Sequence, residues 1–389
     1  MNQKEKSNIS DILSSGRWIL PIALWVILSF FSYEFIIKVE AKSLFIFDTF
    51  WLKDFLLKPS GILSCFSLFL TQFLHIPWLG SMIWVLLLTA SAELTRIVYR
   101  IPSSLSFLSY IPAALFTAYG MSIGYAVYLI QLPGFFFMPV LGYLWALLTV
   151  TVIRKADKPA SAAVLMIIWG FAGYYIAGFY SLAGIIAALT EVLLSGRSRS
   201  FRACSLAGAV IPLLLAPIAF AGTTTYNLLL GWTIGMPEEN YGLSFTAMQL
   251  PLIIAMTFPV IAPAIKYLNS ISGRAVTLII QSIALAAVIA VPASLWYRDD
   301  NFKAELGMIR ATDNNEWDNV ADIFEKVQTR HEQDPYWQPT RIMVLLKDLA
   351  LIETGKEGER SYAFDNGSSK QNCDFVISSS IQIGKLLYM

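Results

Sequence analysis

Of the 389 residues, 56% are apolar and only 14% are charged, against about 25% charged in an ordinary soluble domain. The formal net charge of +1 offers no basic surface for nucleic acid, and no nucleic-acid partner is expected. Cys65, Cys204 and Cys373 are far apart, without CxxC or Cys/His pairing, so neither a zinc site nor a disulfide framework is indicated.

The start, MNQKEKSNISDILSSGRWILPIALWVILSFFSYEFII, joins a basic leader to a long apolar core without a small-residue cleavage motif, and reads as an uncleaved first transmembrane helix over Trp18 to Ile37. Basic clusters then punctuate the apolar chain: Lys4, Lys6 and Arg17; Arg96 and Arg100; Arg154, Lys155 and Lys158; Arg197, Arg199 and Arg202; Lys266 and Arg274. Assigning all of them to the cytoplasm by the excess of Lys and Arg in cytoplasmic loops fixes the parity of crossings between them. Trp78 to Leu94 returns the chain to the inside. No Asp, Glu, Lys or Arg occurs between Arg100 and Arg154, which leaves room for two passes of roughly 20 residues each: Ser104 to Tyr125 and Phe135 to Ile153, turning near Gln131, Pro133 and Gly134. Ala160 to Ala177 and Ser181 to Leu194 form a hairpin at Gly178. Ala203 to Ala221 and Thr246 to Ile265 flank an outside loop, and Val276 to Trp296 delivers the tail outside. The expectation is an all-α, polytopic bundle of nine crossings over residues 1–297, N-terminus cytoplasmic and C-terminus periplasmic, in a cell inner membrane.

From Arg298 onward there are 11 basic and 16 acidic residues, a net of −5, whereas the rest of the chain carries +6. Residues 298–389 are therefore expected to be an outside, soluble helical tail. Trp317, Val320, Ile323, Phe324 and Val327 recur at helical spacing after Asp313 and Asn314, which can cap the helix start. Ile342, Leu345, Leu346 and Leu349 form a second stripe closed by Gly355. The pair is tetratricopeptide-like, with Trp317 as a packing residue; a lone pair buries its faces poorly, so further helices or a protein docking surface are expected, with the tail read as truncated.

Residues 38–77 make the first outside loop. FDTFWLKDFLLKPSG, Phe47 to Gly61, reads as a helix lying in the outer interface, where its aromatic rings are welcome. Asp48 and Asp54 fall about 120° apart around its axis. The loop run EAKSLFIFDTFWLKDFLLKPSGILSCFSLFLTQFLHIPWLG carries Glu40 ahead of Leu44 and Phe45, a break at Pro59 and Gly61, the segment Phe69 to Phe73, and Pro77 to Gly80. It resembles the N-terminal signature of an uncharacterised family of bacterial multi-pass membrane proteins, whose end region DLALIETGKEGERSYAF also resembles. That resemblance names no activity.

The overall plan is also similar to that of multi-pass lipid-linked-sugar glycosyltransferases. It implies that loop carboxylates, here Glu40, Asp48 and Asp54, act as base or metal ligand on a polyprenyl-phosphate sugar or envelope glycan. The loop departs from that plan in lacking an Asp-Asp or Asp-x-Asp pair, and its basic residues are Lys42, Lys53 and Lys58. Against the catalytic reading stands a plainer one, in which the aspartates cap or flank interfacial helices. A scaffold acting through the tail and a transporter are the alternatives. Glu34, Glu93 and Glu191 lie near helix ends, with Arg96 and Arg197 as expected partners of the last two; Glu238 and Glu239 can join the first loop from the other large outside loop. His75 reads as interfacial, and with His331 as the other histidine no His-based metal centre is indicated, while the sequence leaves any cofactor unknown.

Overall fold

The computed structural model describes residues 18–43, 45–128, 130, 134–220, 242–271, 274–333 and 339–356, whose regular secondary structure is helical, with no strand among them. Four helices are long and apolar enough to cross a membrane, Pro77–Val98, Pro159–Ala177, Arg199–Ala219 and Ala275–Leu295, and a fifth span is completed if the helices on either side of Ser32 count as one. The chain divides into two compact units. Unit 1 comprises Met1–Phe31, Ser43–Ser122 and Gln131–Trp296; unit 2 comprises Ser32–Lys42, Ile123–Ile130 and Tyr297–Met389.

In unit 1, α1 (Ile19–Phe31) precedes two loop helices, α3 (Thr49–Leu56) and α4 (Gly61–Thr71), and then α5 (Pro77–Val98), with α2 (Tyr33–Lys42) belonging to unit 2. Pro77 opens α5, where its missing N–H costs nothing. The expected pass over Ser104 to Tyr125 is shorter as an α-helix: residues Ser103–Tyr110 are a 3-10 turn leading into α6 (Ile111–Ser122). Then follow α7 (Met138–Arg154), α8 (Pro159–Ala177), α9 (Phe179–Leu194), α10 (Arg199–Ala219), α11 (Gly242–Ile271) and α12 (Arg274–Leu295).

Small residues let these helices approach. A methyl group on Gly142 would collide with the Tyr180 ring, on Gly170 with Pro212, and on Gly208 with the backbone of Ala163, so α7 meets α9 and α8 meets α10 through glycine seams of the kind that lipid-embedded helices use. Trp145 stacks on Trp169 at 5.4 Å and 11°, and the Trp169 indole N–H donates to Thr149 at 2.8 Å. Some buried polar groups find internal partners: Gln281, 5% exposed, accepts from the Phe107 N–H and donates to Ser106, and Thr95 and Tyr143 share a 2.8 Å hydrogen bond. Outward rows remain apolar, as with Leu278, Ile279 and Ile283 on α12, which suits lipid and would be anomalous against water.

Unit 2 is built on α13 (Asp300–Asp313), α14 (Trp317–Gln333) and α15 (Arg341–Glu353). Met308, Ala311, Val320, Phe324, Val327, Ile342, Met343 and Leu346 form its core, against which Trp317 packs, as the apolar stripes of the sequence require. One detail differs. Asp313 and Asn314 finish α13 rather than capping α14, because the tail contains a third helix before them; Asn315 then takes the left-handed conformation at φ 60° that turns the chain into α14. The unit also takes in α2 and the 3-10 turn Gly124–Tyr128, with Phe35 edge-on to Phe302 at 6.3 Å.

Candidate functional site

The three carboxylates expected to form a site fall in two units: Glu40 on α2 in unit 2, and Asp48 and Asp54 at and within α3 in unit 1. Asp48 caps α3, its Oδ2 accepting the Phe50 N–H at 2.9 Å and the Trp51 N–H at 3.1 Å, while its side chain remains exposed. Glu40 is half-buried and engaged in interactions of its own. The side chains of Asp54, Lys42 and His331 lie outside the described residues, as do Glu238 and Glu239. His75 is exposed.

Around Asp48 the loop is aromatic and firmly held. Phe45 lies edge-on to Trp51 and to Phe69, Trp51 packs on Phe55 at 4.4 Å, and Phe47 and Phe50 project outward. Ser60, at φ 60°, donates its N–H to the Tyr175 carbonyl at 2.9 Å, and the Tyr175 hydroxyl donates to the Leu56 carbonyl. The α3–α4 corner is thereby bolted to the α8–α9 turn. Elsewhere in unit 1, Glu93 pairs with Arg96 as expected, but Glu191 pairs with Arg154 at 2.5 Å, because Arg197 is committed to the backbone carbonyls of Ala156 and Arg154.

A constellation that the sequence reading missed lies within unit 2. Glu305 on α13 is 1% exposed. Its Oε1 accepts from the Tyr128 hydroxyl at 2.5 Å, and its Oε2 from Thr340 at 2.6 Å and Tyr125 at 3.5 Å. Lys38, itself buried, sits with its ammonium 4.4 Å from the centre of the Tyr128 ring and acts on Glu305 electrostatically. Tyr125 is packed edge-on to Phe302 and Tyr297, and the Tyr297 hydroxyl donates to Asp299, the cap of α13.

Burial pushes the Glu305 carboxyl above the usual carboxylate range, opposed by the hydroxyls of Thr340, Tyr128 and Tyr125 and by Lys38. Burial and then the Glu305 charge hold the Tyr128 hydroxyl well above an ordinary phenol, so it stays a proton donor. Three O–H groups aimed at one carboxyl are all satisfied only when that carboxyl is ionised; protonated, it must donate to one of them. The arrangement seats one carboxyl in a dry place and ties α13, the cap of α15 and the 124–128 turn to a single group. A cue was present: Glu305 stands three residues after Phe302 and next to Leu306, on what is otherwise an apolar helix face.

Among the described residues no cluster of three or more His, Cys, Asp or Glu is placed to hold a metal ion. No curated protein and no solved structure matches the chain. A family model described as a family of unknown function (DUF6057) matches residues 9–371, nearly the whole length, and the chain belongs to that family.

Proposed function

We propose that the protein is a bacterial inner-membrane assembly scaffold of nine crossings that holds unit 2 on the periplasmic side of the bilayer as a docking module for a protein partner. The observation that carries this is the make-up of unit 2: its three segments, Ser32–Lys42, Ile123–Ile130 and Tyr297–Met389, each comprise the outer end of an expected pass, a stretch that the basic-cluster rule assigns to the outside, or both. Contacts inside unit 1 agree with the same order. Ser60 with Tyr175 joins two outside stretches, whereas Arg154 with Glu191 and Arg197 with Ala156 join inside ones. A unit stitched from separate loops and pinned on a buried carboxylate presents its surface rigidly, which suits docking. On α15, Leu345 and Ile352, seven residues apart and so on one face, are exposed at 39% and 45%.

Two experiments test this. In a chain with Cys65, Cys204 and Cys373 replaced, a membrane-impermeant maleimide should label N319C in spheroplasts and K155C only after permeabilisation; the reverse would remove the scaffold from the periplasm. Photo-crosslinkers at positions 345 and 352 should trap one protein, and L345D/I352D should lose it while remaining folded in the membrane.

A second reading rests on the exposed Asp48 among the rings of Phe47 and Phe50. Aromatic faces beside a carboxylate suit a sugar, and this reading makes the loop the site of a lipid-linked-sugar transferase acting on a polyprenyl-phosphate donor, with Asp54 of the same unit as its further carboxylate. It predicts that Asp48→Asn, which keeps a capping oxygen, abolishes turnover; unchanged envelope glycan in that variant would dismiss it.

A further inference from the structure

We propose that unit 1 binds the phosphate headgroup of an anionic phospholipid through Lys155, Lys158 and Arg199, with an acyl chain running along α8 and α10. The segments 154–158 and 191–202 hold six basic residues and two acidic ones, and the fold decides which of the six remain available. Arg154 is committed to Glu191 at 2.5 Å. Arg197 donates to Ala156 O at 2.5 Å and Arg154 O at 3.2 Å while lying over the Phe201 ring. That staple draws the α9–α10 link onto the α7–α8 link, while Arg154 neutralises Glu191. Lys155, Lys158 and Arg199 are left exposed, Arg202 is half-buried, and Asp157 is the exposed acid among them.

The helices add to the same field. Gly208 packs on Ala163, and Gly170 on Pro212, so α8 and α10 run parallel and begin at the same end. By the rise of an α-helix, Lys158 stands ~7.5 Å before the level of Ala163, and Arg199 ~13.5 Å before the level of Gly208, so both lie beyond the same end of the pair. Both helix N-termini, each with the partial positive charge of its dipole, lie at the end where the three cations are. A soluble anion would be served by charge alone. Here Val164 and Ile168 on α8, and Leu206 and Val210 on α10, continue from the cations as exposed apolar rows one turn apart, and Leu193 and Leu194 are exposed beside them. Cations at the head of apolar rows match a lipid that carries both a phosphate and a chain.

The test uses the full chain purified in detergent, with phosphatidylglycerol or phosphatidylcholine added in equal amount and retention read by native mass spectrometry. Phosphatidylglycerol should be retained in preference, and K155Q/K158Q/R199Q should weaken its retention on the order of a hundredfold, three surface cations having been removed. K53Q/K58Q, which alters cations of the α3 segment, should retain it as before. The single variants K155Q and K158Q should give graded losses, so the result does not depend on the triple variant folding. Equal retention of both lipids, or a triple variant that binds as the wild type does, overturns the proposal. Displacement of phosphatidylglycerol by millimolar inorganic phosphate would show a free-phosphate site and overturn it as well.

Discussion

The hydroxyl of Thr340 joins two structural tasks: it donates to Glu305 Oε2 at 2.6 Å and accepts the Met343 N–H at 3.4 Å as the cap of α15. Thr340→Ala removes a cap, worth about 1 kcal/mol, and leaves a buried carboxylate short of one donor, at about 1–3 kcal/mol more. The expected loss is roughly 2–4 kcal/mol, read as faster amide exchange across α13, α14 and α15 in the full protein. Thr340→Ser should restore most of the protection.

Glu305 gives unit 2 a pH dependence whose sign follows from its raised carboxyl. The folded unit holds a proton that the unfolded chain releases at a lower pH, so this contribution to stability is fully present below the ordinary glutamate range and is lost as pH rises through the folded value. Opening free energies of α13 to α15 from amide exchange, corrected for intrinsic rates, should fall over that window. Glu305→Gln should flatten the dependence.

Substitution at the glycine seams should destabilise unit 1 without touching a charge. Gly208→Val forces a side chain into the Ala163 backbone, and Gly142→Val into the Tyr180 ring. Each should cost about 1–3 kcal/mol or more, since the first obstacle is backbone that cannot rotate away. A lowered melting temperature in detergent is the readout, and Gly196→Ala, which meets nothing within 4 Å, is the control.

Asp48→Ala should fray α3, because the Phe50 and Trp51 amides lose their acceptor. The cost is about 1 kcal/mol, visible as increased exchange at those amides. Asp48→Asn should exchange as the wild type does, since its side-chain oxygen caps equally well.

The long apolar helices of unit 1 are legible because basic clusters bracket apolar intervals, whereas the pass expected over Ser104 to Tyr125 is α-helical only over Ile111–Ser122. The loop helix over Phe47 to Gly61 and the capping role of Asp48 were also legible, since both rest on neighbours within a few residues. Ser32 was not: nothing local marks it as a break between α1 and α2. The partnership of Glu191 was misassigned for a different reason, as the nearer cation, Arg197, is held by carbonyls some forty residues earlier in the chain. The Glu305 constellation was invisible because Tyr128 and Thr340 stand 177 and 35 residues away from it, and separations of that kind leave no period in a sequence. Lys38 and Tyr125 each read locally as ordinary features of a helix end.

Those separations impose an order on biogenesis. Ribosomes deliver chains from the N-terminus, so Lys38, Tyr125 and Tyr128 are made long before Glu305 and Thr340. Until α15 is complete, an ammonium and two phenols destined for a dry interior stand without their carboxylate, and no shorter nascent chain can close unit 2. Closure of this unit therefore waits until synthesis has passed α15, however early its first helix is made.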